Sequence, residues 1–218
     1  MADGKSDKKK KQDAGDEAAP TGPAPTPRLK KLFEEEVGKK LAEQFGLTNP
    51  MQRPTLDAIV LNVNVGRHLE NGKLSPNIRE TVNSTLTTIS GQKPITIKAK
   101  KSVSNFKLRD GMDSAMKVTL RRDRMWHFLD RLINLATPRI KDFRGLRDTS
   151  FDRQGNYSMG LNEQGVFPEV DMARVTFTHG MNINLVFSRS SPELSRFVLE
   201  QLGMPFEKKE DSDKKGAA

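Results

Sequence analysis

The sequence predicts an α+β fold, with a mixed or antiparallel β-sheet and helices packed mainly on one of its faces. Apolar residues recur at helical spacing in four stretches, and in four others they alternate with polar residues as in strands. The two kinds of stretch do not alternate strictly along the chain, as they would in a parallel α/β fold. Both ends of the chain lack such patterns.

The first predicted helix carries an apolar stripe over 29–45, spaced by three or four residues, and ends at Gly46. A strand over 57–65 follows, because apolar and other residues alternate there and give it two different faces. Asn62 and Asn64 share one of these faces.

A second helix is predicted to start at Ser75 and Pro76 and to end at Gly91, since proline suits a first helical turn and glycine suits a helix end. The segments 95–98 and 115–120 are predicted strands. They flank a basic loop that contains glycine.

Three elements complete the prediction. Asp123 is a candidate N-cap for a helix that Pro138 terminates. The segment 181–187 alternates as a strand, and Ser191 and Pro192 start a last helix.

The composition predicts one folded domain, over 28–206, between two disordered tails. Residues 1–27 and 207–218 are polar, and each segment holds equal numbers of basic and acidic residues. The whole net charge of +9 therefore lies in 28–206. Such a surplus attracts a polyanion, whether nucleic acid, an acidic membrane or an acidic protein.

Several classes of function are excluded. The chain has no cysteine, which rules out disulfides, thiol catalysis and cysteine-based zinc sites. It has no apolar run near the ~18 residues of a membrane span and no apolar stretch typical of a signal peptide, so a cytoplasmic protein without a membrane partner is expected. The segment 155–160 lacks the lysine of a phosphate-binding loop, and no cofactor is expected.

Catalysis has little support. The one constellation of suitable residues is Asp123, His127 and Asp130, whose offsets place two carboxylates beside an imidazole on one helix face. A metal ion can bind such a face, but the face is far more often solvated and charge-paired, with Arg124 and Arg131 as nearby partners. We therefore predict no metal site and no enzyme.

The segment 93–122 holds nine Lys or Arg residues and only two acidic residues. If the predicted strands at its two ends pair, the part between them forms a flexible basic arm that follows phosphates. The cations assigned to this arm are Lys98, Lys100, Lys101, Lys107 and Arg109. Phe106 either stacks on a ligand or packs beneath the arm, and the sequence leaves both open.

A second basic cluster contains Arg139, Lys141 and Arg144. Its arginines suit bidentate contacts with phosphate, although pairing with Asp142 and Asp148 within the chain is the competing explanation.

Several strings resemble the universal ribosomal protein L5 family, the 5S rRNA-binding proteins of the large ribosomal subunit. They are IVLNV at 59–63, ISGQKP at 89–94, AKKSV at 99–103, VTLRRDRMW at 118–126, PRIKDFRGL at 138–146, FD at 151–152, GNYSMG at 155–160, FPE at 167–169 and GMPF at 203–206. The likeness runs in order from about Leu29 to Phe206, and so many matches in register are highly specific. The family usually has Gly at Asn64 and often Arg at His179.

The resemblance implies a bacterial-type, non-enzymatic protein of the central protuberance that holds 5S rRNA through its sheet and touches 23S rRNA. The family's 5S rRNA contacts correspond here to Asn62, Gln92, Thr119 and Arg121. The loop over 101–112 would lie near the P-site tRNA. Other proteins of the central protuberance and a head protein of the small subunit are the further implied partners.

Two other hypotheses make different predictions. A peripheral membrane or acidic-protein adaptor would use 29–45 as an amphipathic helix, but Glu34, Glu35 and Glu36 on its polar face would be repelled by anionic lipid. A metal-dependent RNA hydrolase would need His127 to act in catalysis.

Overall fold

The computed structural model describes residues 25–207, except 48, 71–72, 107, 174 and 176. The first helix, α1, joins Arg28–Leu32 to Gly38–Phe45 through a wider π turn at Phe33–Val37. The other long helices are Pro76–Ser90 (α2), Arg122–Arg131 (α3) and Pro192–Gln201 (α4). The strands are Thr55–Asn64 (β1), Leu69–Glu70 (β2), Lys73–Leu74 (β3), Ile95–Lys98 (β4), Asp113–Leu120 (β5), Tyr157–Leu161 (β6) and Met181–Ser188 (β7).

Five strands form an antiparallel sheet in the order β4-β5-β1-β7-β6, and β2 and β3 form a small separate hairpin. The predicted strands at the two ends of the basic arm do pair, because β4 and β5 are neighbours. The predicted α+β class is confirmed.

The helix ends follow the chemistry of their sequences. Gly46 and Gly91 both have φ of 66°, a left-handed conformation that glycine adopts without steric cost, and they end α1 and α2 as predicted. The Ser191 hydroxyl accepts a hydrogen bond from Leu194 N at 3.4 Å and so caps α4.

The predicted N-cap of α3 was wrong. The helix begins at Arg122, so Asp123 lies in its first turn and Arg121 occupies the cap position. The reason is that β5 ends at Leu120 and the backbone turns at once, with φ of 54° at Arg122. The helix also does not stop sharply at Pro138, since a π turn and a short 3-10 turn, Thr137–Arg139, follow it.

The edge strand β6 was not predicted. Its exposed positions are Ser158 and Gly160, which rarely favour strands, whereas Tyr157, Met159 and Leu161 are buried. Pairing with β7 stabilises this strand, so it forms in spite of its weak local propensity.

The hydrophobic core lies between the helices and one face of the sheet. On that face β1 contributes Ile59, Leu61 and Val63, all fully buried, and the register places Leu120, Val118 and Met116 directly opposite them. The helices supply further buried apolar side chains, among them Val82, Leu86, Phe128, Leu129, Val198 and Leu199. Because strand side chains alternate, Val60, Asn62 and Asn64 of β1 lie on the opposite face of the sheet.

Candidate nucleic-acid interface

The face of the sheet opposite the core carries several polar side chains. In the centre, Asn62 of β1 lies opposite Lys117 of β5, and Val60 lies opposite Thr119. Asn62, Lys117 and Thr119 are all half-buried. This side of the sheet therefore offers hydrogen-bonding groups held on a rigid backbone.

Gln92 joins this surface through its side chain. Its carboxamide lies between β5 and α3, 3.3 Å from the Thr119 carbonyl oxygen and 3.3 Å from Arg124 Nη1. The amide orientation that satisfies both groups lets the nitrogen donate to Thr119 and the oxygen accept from Arg124. Three of the four residues expected to contact 5S rRNA, Asn62, Gln92 and Thr119, thus lie on one stretch of surface.

The turn that carries Gln92 is held by several bonds. Gln92 N donates to Ser90 Oγ at 3.2 Å, and Arg131 Nη2 donates to the Ile89 carbonyl oxygen at 2.9 Å. The same guanidinium pairs with Glu169 through Nη1. The backbone of this turn is therefore held by contacts with α2 and α3, and Glu169 in the loop after β6 in turn holds Arg131.

Arg121, the fourth predicted contact, follows β5 directly. Its backbone is extended, with φ of −137° and ψ of 164°, so the strand alternation continues and Arg121 lies on the same side as Thr119. Its side chain is exposed. Arg121 thus adds an exposed cation at the margin of this surface.

Backbone hydrogen bonds join the two sides of the basic arm. Ala99 N donates to the Met112 carbonyl oxygen at 2.8 Å, and Val103 N and Leu108 N donate to each other's carbonyl oxygens at 2.8 Å and 3.1 Å. These bonds extend the β4-β5 pair into a hairpin-like projection.

The arm presents its cations and one aromatic ring to solvent. Lys98, Lys100, Lys101 and Arg109 are exposed, whereas Lys107 lies outside the described residues. Phe106 is 78% exposed, so it does not pack beneath the arm. The ring is thus available to contact a ligand.

The second basic cluster is also accessible. Arg139, Lys141 and Arg144 are exposed, and within the described residues none of the three forms an ion pair. Asp148, one of the two competing partners, pairs with Arg196 at 3.1 Å instead. Asp148 therefore does not neutralise any of these three cations.

Nearby packing fixes the loop that carries this cluster. The Tyr157 hydroxyl donates to the Arg147 carbonyl oxygen at 3.1 Å, and its ring contacts those of Phe151 and Phe206. Burial, helped by the charges of Asp148 and Glu207, raises the pKa of Tyr157 to about 12, so the hydroxyl keeps its proton and remains a donor.

The two carboxylates beside His127, those of Asp123 and Asp130, form ion pairs, but with partners other than those that the sequence suggested. Asp123 Oδ1 accepts from Lys30 Nζ at 3.1 Å, and Asp130 Oδ1 accepts from Arg28 Nη2 at 2.8 Å. His127 is exposed. In the part of the chain that the structure describes, no group of His, Asp and Glu side chains is arranged to hold a metal ion.

Sequence reasoning missed polar residues of the same sheet face. Asn182 and Asn184 of β7 lie beside β1, and Ser158 of β6 lies opposite Asn184. The sequence shows that Asn alternates with apolar residues in 181–187. That these asparagines lie beside Asn62 depends on strand pairing, which the sequence does not show.

No helix among the described residues has the length and apolarity needed to cross a bilayer.

The fold and the polar face of the sheet, with cations at its border, are typical of basic α+β proteins that bind RNA. Two family models match the chain: one described as ribosomal protein L5, over residues 49–109, and one described as the C-terminus of the same ribosomal family, over 113–206.

Curated relatives match most of the chain. A protein of Caldanaerobacter subterraneus subsp. tengcongensis named large ribosomal subunit protein uL5 is 47% identical over 181 residues, which cover 83% of this chain and 99% of the relative. Proteins of the same name from Wolinella succinogenes and Lactobacillus acidophilus are 46% and 48% identical, over 83% and 82% of this chain and 96% and 97% of their own.

The chain belongs to the ribosomal protein L5 family. It is a structural constituent of the large subunit of the cytoplasmic ribosome and not an enzyme.

Proposed function

We propose that the chain binds 5S rRNA and attaches it to 23S rRNA in the central protuberance. The observation that carries this proposal is the placement of Asn62, Gln92 and Thr119 on one surface, with Arg121 at its margin. These are the residues that the family resemblance assigns to 5S rRNA. Their proximity supports a single continuous contact.

Neutral and charged groups of this surface contribute to RNA binding in different ways. Amide and hydroxyl groups offer donors and acceptors to base edges and 2′-hydroxyls, which fixes register and specificity. Cations such as Arg121 and Lys117 neutralise phosphates and release counterions, which gives affinity that falls as salt rises. The sheet provides a rigid support for both.

Single substitutions separate the two contributions. Asn62→Ala, Gln92→Ala and Thr119→Ala are each expected to weaken binding of 5S rRNA by about 1–3 kcal/mol, because each leaves a polar partner unpaired. The slope of log Kd against log salt should stay unchanged. Arg121→Ala is expected to lower affinity and reduce that slope by about one.

The measurement is a filter-binding or fluorescence titration of full-length protein with 5S rRNA over a salt series. Asn77→Ala is the matched control, since Asn77 is an exposed asparagine on α2 at the groove away from the sheet face. Equal losses on 5S rRNA and on an unrelated RNA for the three neutral substitutions would contradict the assignment.

The basic arm is proposed to contact P-site tRNA or rRNA. Its support is the hairpin-like projection that carries the exposed Lys98, Lys100, Lys101 and Arg109, with Phe106 exposed near its end. Lys107 belongs to the same proposal and lies outside the described residues. An aromatic ring among cations suits a nucleic acid, which offers both phosphates and stacking faces.

The second basic cluster, Arg139, Lys141 and Arg144, is proposed as a weaker rRNA contact, supported by its exposure and by its lack of ion pairs within the described residues. Contacts with other large-subunit proteins and a bridge to a small-subunit head protein complete the proposed partners. We also propose that 28–206 acts as one RNA-binding domain. One hydrophobic core that extends from Leu29 to Met204 supports this.

A further inference from the structure

A second set of polar groups lies on the same face of the sheet, beyond Asn62. Asn182 of β7 is directly opposite Asn62, and Asn184 lies between Val60 of β1 and Ser158 of β6. Asparagine is depleted in strands because its amide competes for the backbone and packs poorly. Three asparagines side by side on neighbouring strands therefore need a physical explanation.

Their side chains have no partner within the described residues. No hydrogen bond joins the amides of Asn62, Asn182 or Asn184 to another group there, whereas the amide oxygen of nearby Asn64 accepts from Gly66 N at 2.9 Å. The backbone at all three positions is fixed by strand pairing. Three asparagines thus stand at fixed backbone positions, and their amides have no hydrogen-bond partner among the described residues.

The surface beside them is open. Gly160 of β6 lies opposite Asn182, and a Cβ at this position would lie 3.5 Å from Asn182 Oδ1, with no other atom within 4 Å. The missing side chain lets a ligand approach the strand closely, which is a frequent reason for glycine inside a sheet. The lining of a concavity of about 390 Å³ includes Asn62, Asn182, Asn162 and the exposed His68.

Among the described residues that line this concavity there is no carboxylate. The concavity also offers little apolar surface of the kind that anchors a protein partner, since Leu161 and Met181, its large apolar residues, are buried. Neutral amides suit groups that both donate and accept hydrogen bonds, such as ribose 2′-hydroxyls and base edges. The concavity is also continuous with the proposed 5S rRNA site, because Asn62 belongs to both.

We infer that the RNA interface continues across β1 onto β7 and β6, where Asn182 and Asn184 bind ribose 2′-hydroxyls and base edges of the 5S rRNA. This inference rests on the proposed function and names two further contact residues for it. It also predicts that this half of the interface binds with little dependence on salt, since its groups carry no charge.

The test uses full-length protein with Asn182→Ala or Asn184→Ala and with Asn77→Ala as the control. Each sheet variant is expected to bind 5S rRNA about five- to thirtyfold more weakly, the effect of one lost hydrogen bond, with an unchanged salt slope. Binding to a size-matched tRNA should change by less than about twofold, because nonspecific affinity comes from phosphates. Asn184→Val, which favours a strand and removes the amide, separates loss of contact from loss of fold.

Chemical footprinting of the RNA distinguishes a direct contact from a purely structural role of these asparagines. Acylation of 2′-hydroxyls in 5S rRNA, at saturating protein, should show protected nucleotides that become reactive with Asn182→Ala or Asn184→Ala. These nucleotides should adjoin those exposed by Asn62→Ala and should be unaffected by Asn77→Ala.

The outcomes are distinguishable. If wild-type protein prefers 5S rRNA and both sheet variants bind and protect it as wild type does, the inference is wrong while the proposed function stands. If wild-type protein shows no preference for 5S rRNA, the proposed function fails and the inference fails with it.

Discussion

Gly145 is a position where a single methyl group should destabilise the fold. Its φ is +123°, and a Cβ there would lie 2.7 Å from Glu207 N and 2.8 Å from Glu207 Cα. Both contacts are with backbone, which cannot rotate away. The next residue, Leu146, is bonded to this segment on both sides, because its N donates to the Pro205 carbonyl oxygen at 2.9 Å and its carbonyl oxygen accepts from Glu207 N at 2.9 Å.

The magnitude for Gly145→Ala follows from these two facts. A non-glycine residue held at such a positive φ costs about 1–3 kcal/mol. Moving the C-terminal segment away to relieve the clash breaks two backbone hydrogen bonds, each worth about 0.5–1.5 kcal/mol. The total is about 2–6 kcal/mol, which corresponds to a fall in melting temperature of roughly 4–24 °C for a protein of this size.

The assay is thermal unfolding followed by circular dichroism, with Gly111→Ala as the control. Gly111 has φ of +80°, and a methyl group added there would meet no atom within 4 Å, so its substitution carries backbone strain alone and should lower the melting temperature by clearly less. Equal melting temperatures for the two variants would refute the argument from close approach.

Three further predictions concern the arm, a buried histidine and the helix face. Because the ring is exposed, Phe106→Ala should leave the free energy of unfolding within about 0.5 kcal/mol of wild type. Large subunits that carry the variant should nevertheless bind P-site tRNA more weakly. Unchanged tRNA binding would contradict the proposed contact. Burial lowers the pKa of His179 from its ordinary value, so the unfolded chain takes up a proton first as the pH falls. Stability in urea unfolding should therefore decrease as the pH falls through about 6.5, the ordinary pKa of histidine. His179→Gln should reduce that decrease, and an identical pH dependence in the variant would contradict the prediction. Asp130→Ala removes the exposed ion pair with Arg28 and should lower the free energy of unfolding by at most about 1 kcal/mol. It should leave the affinity for 5S rRNA unchanged. A large loss of binding would show that this helix face has another role.

The helices were predictable because their signals are local. Apolar spacing over 29–45 and the glycines at both helix ends depend on neighbouring residues only, and the structure confirms α1 and α2. The prediction missed β6, whose residues Ser158 and Gly160 form a strand because β7 lies beside them. Propensity describes a segment alone, whereas pairing depends on distant parts of the chain.

The same distinction applies to the site. Asn62, Gln92, Thr119 and Arg121 were identified through the family resemblance, and their identity as contacts stays a prediction. Asn182 is far from Asn62 in sequence, and only the antiparallel register of β1 and β7 makes them neighbours. The exposure of Phe106 likewise depends on how the arm folds, which composition does not determine.

The most direct measurement is the binding of purified full-length protein to 5S rRNA and to a size-matched tRNA over a salt series. We expect a preference for 5S rRNA that persists at high salt, because neutral groups on a rigid sheet supply the specificity. Equal binding of both RNAs, lost together as salt rises, would contradict it and leave only a nonspecific attraction between a basic surface and phosphates.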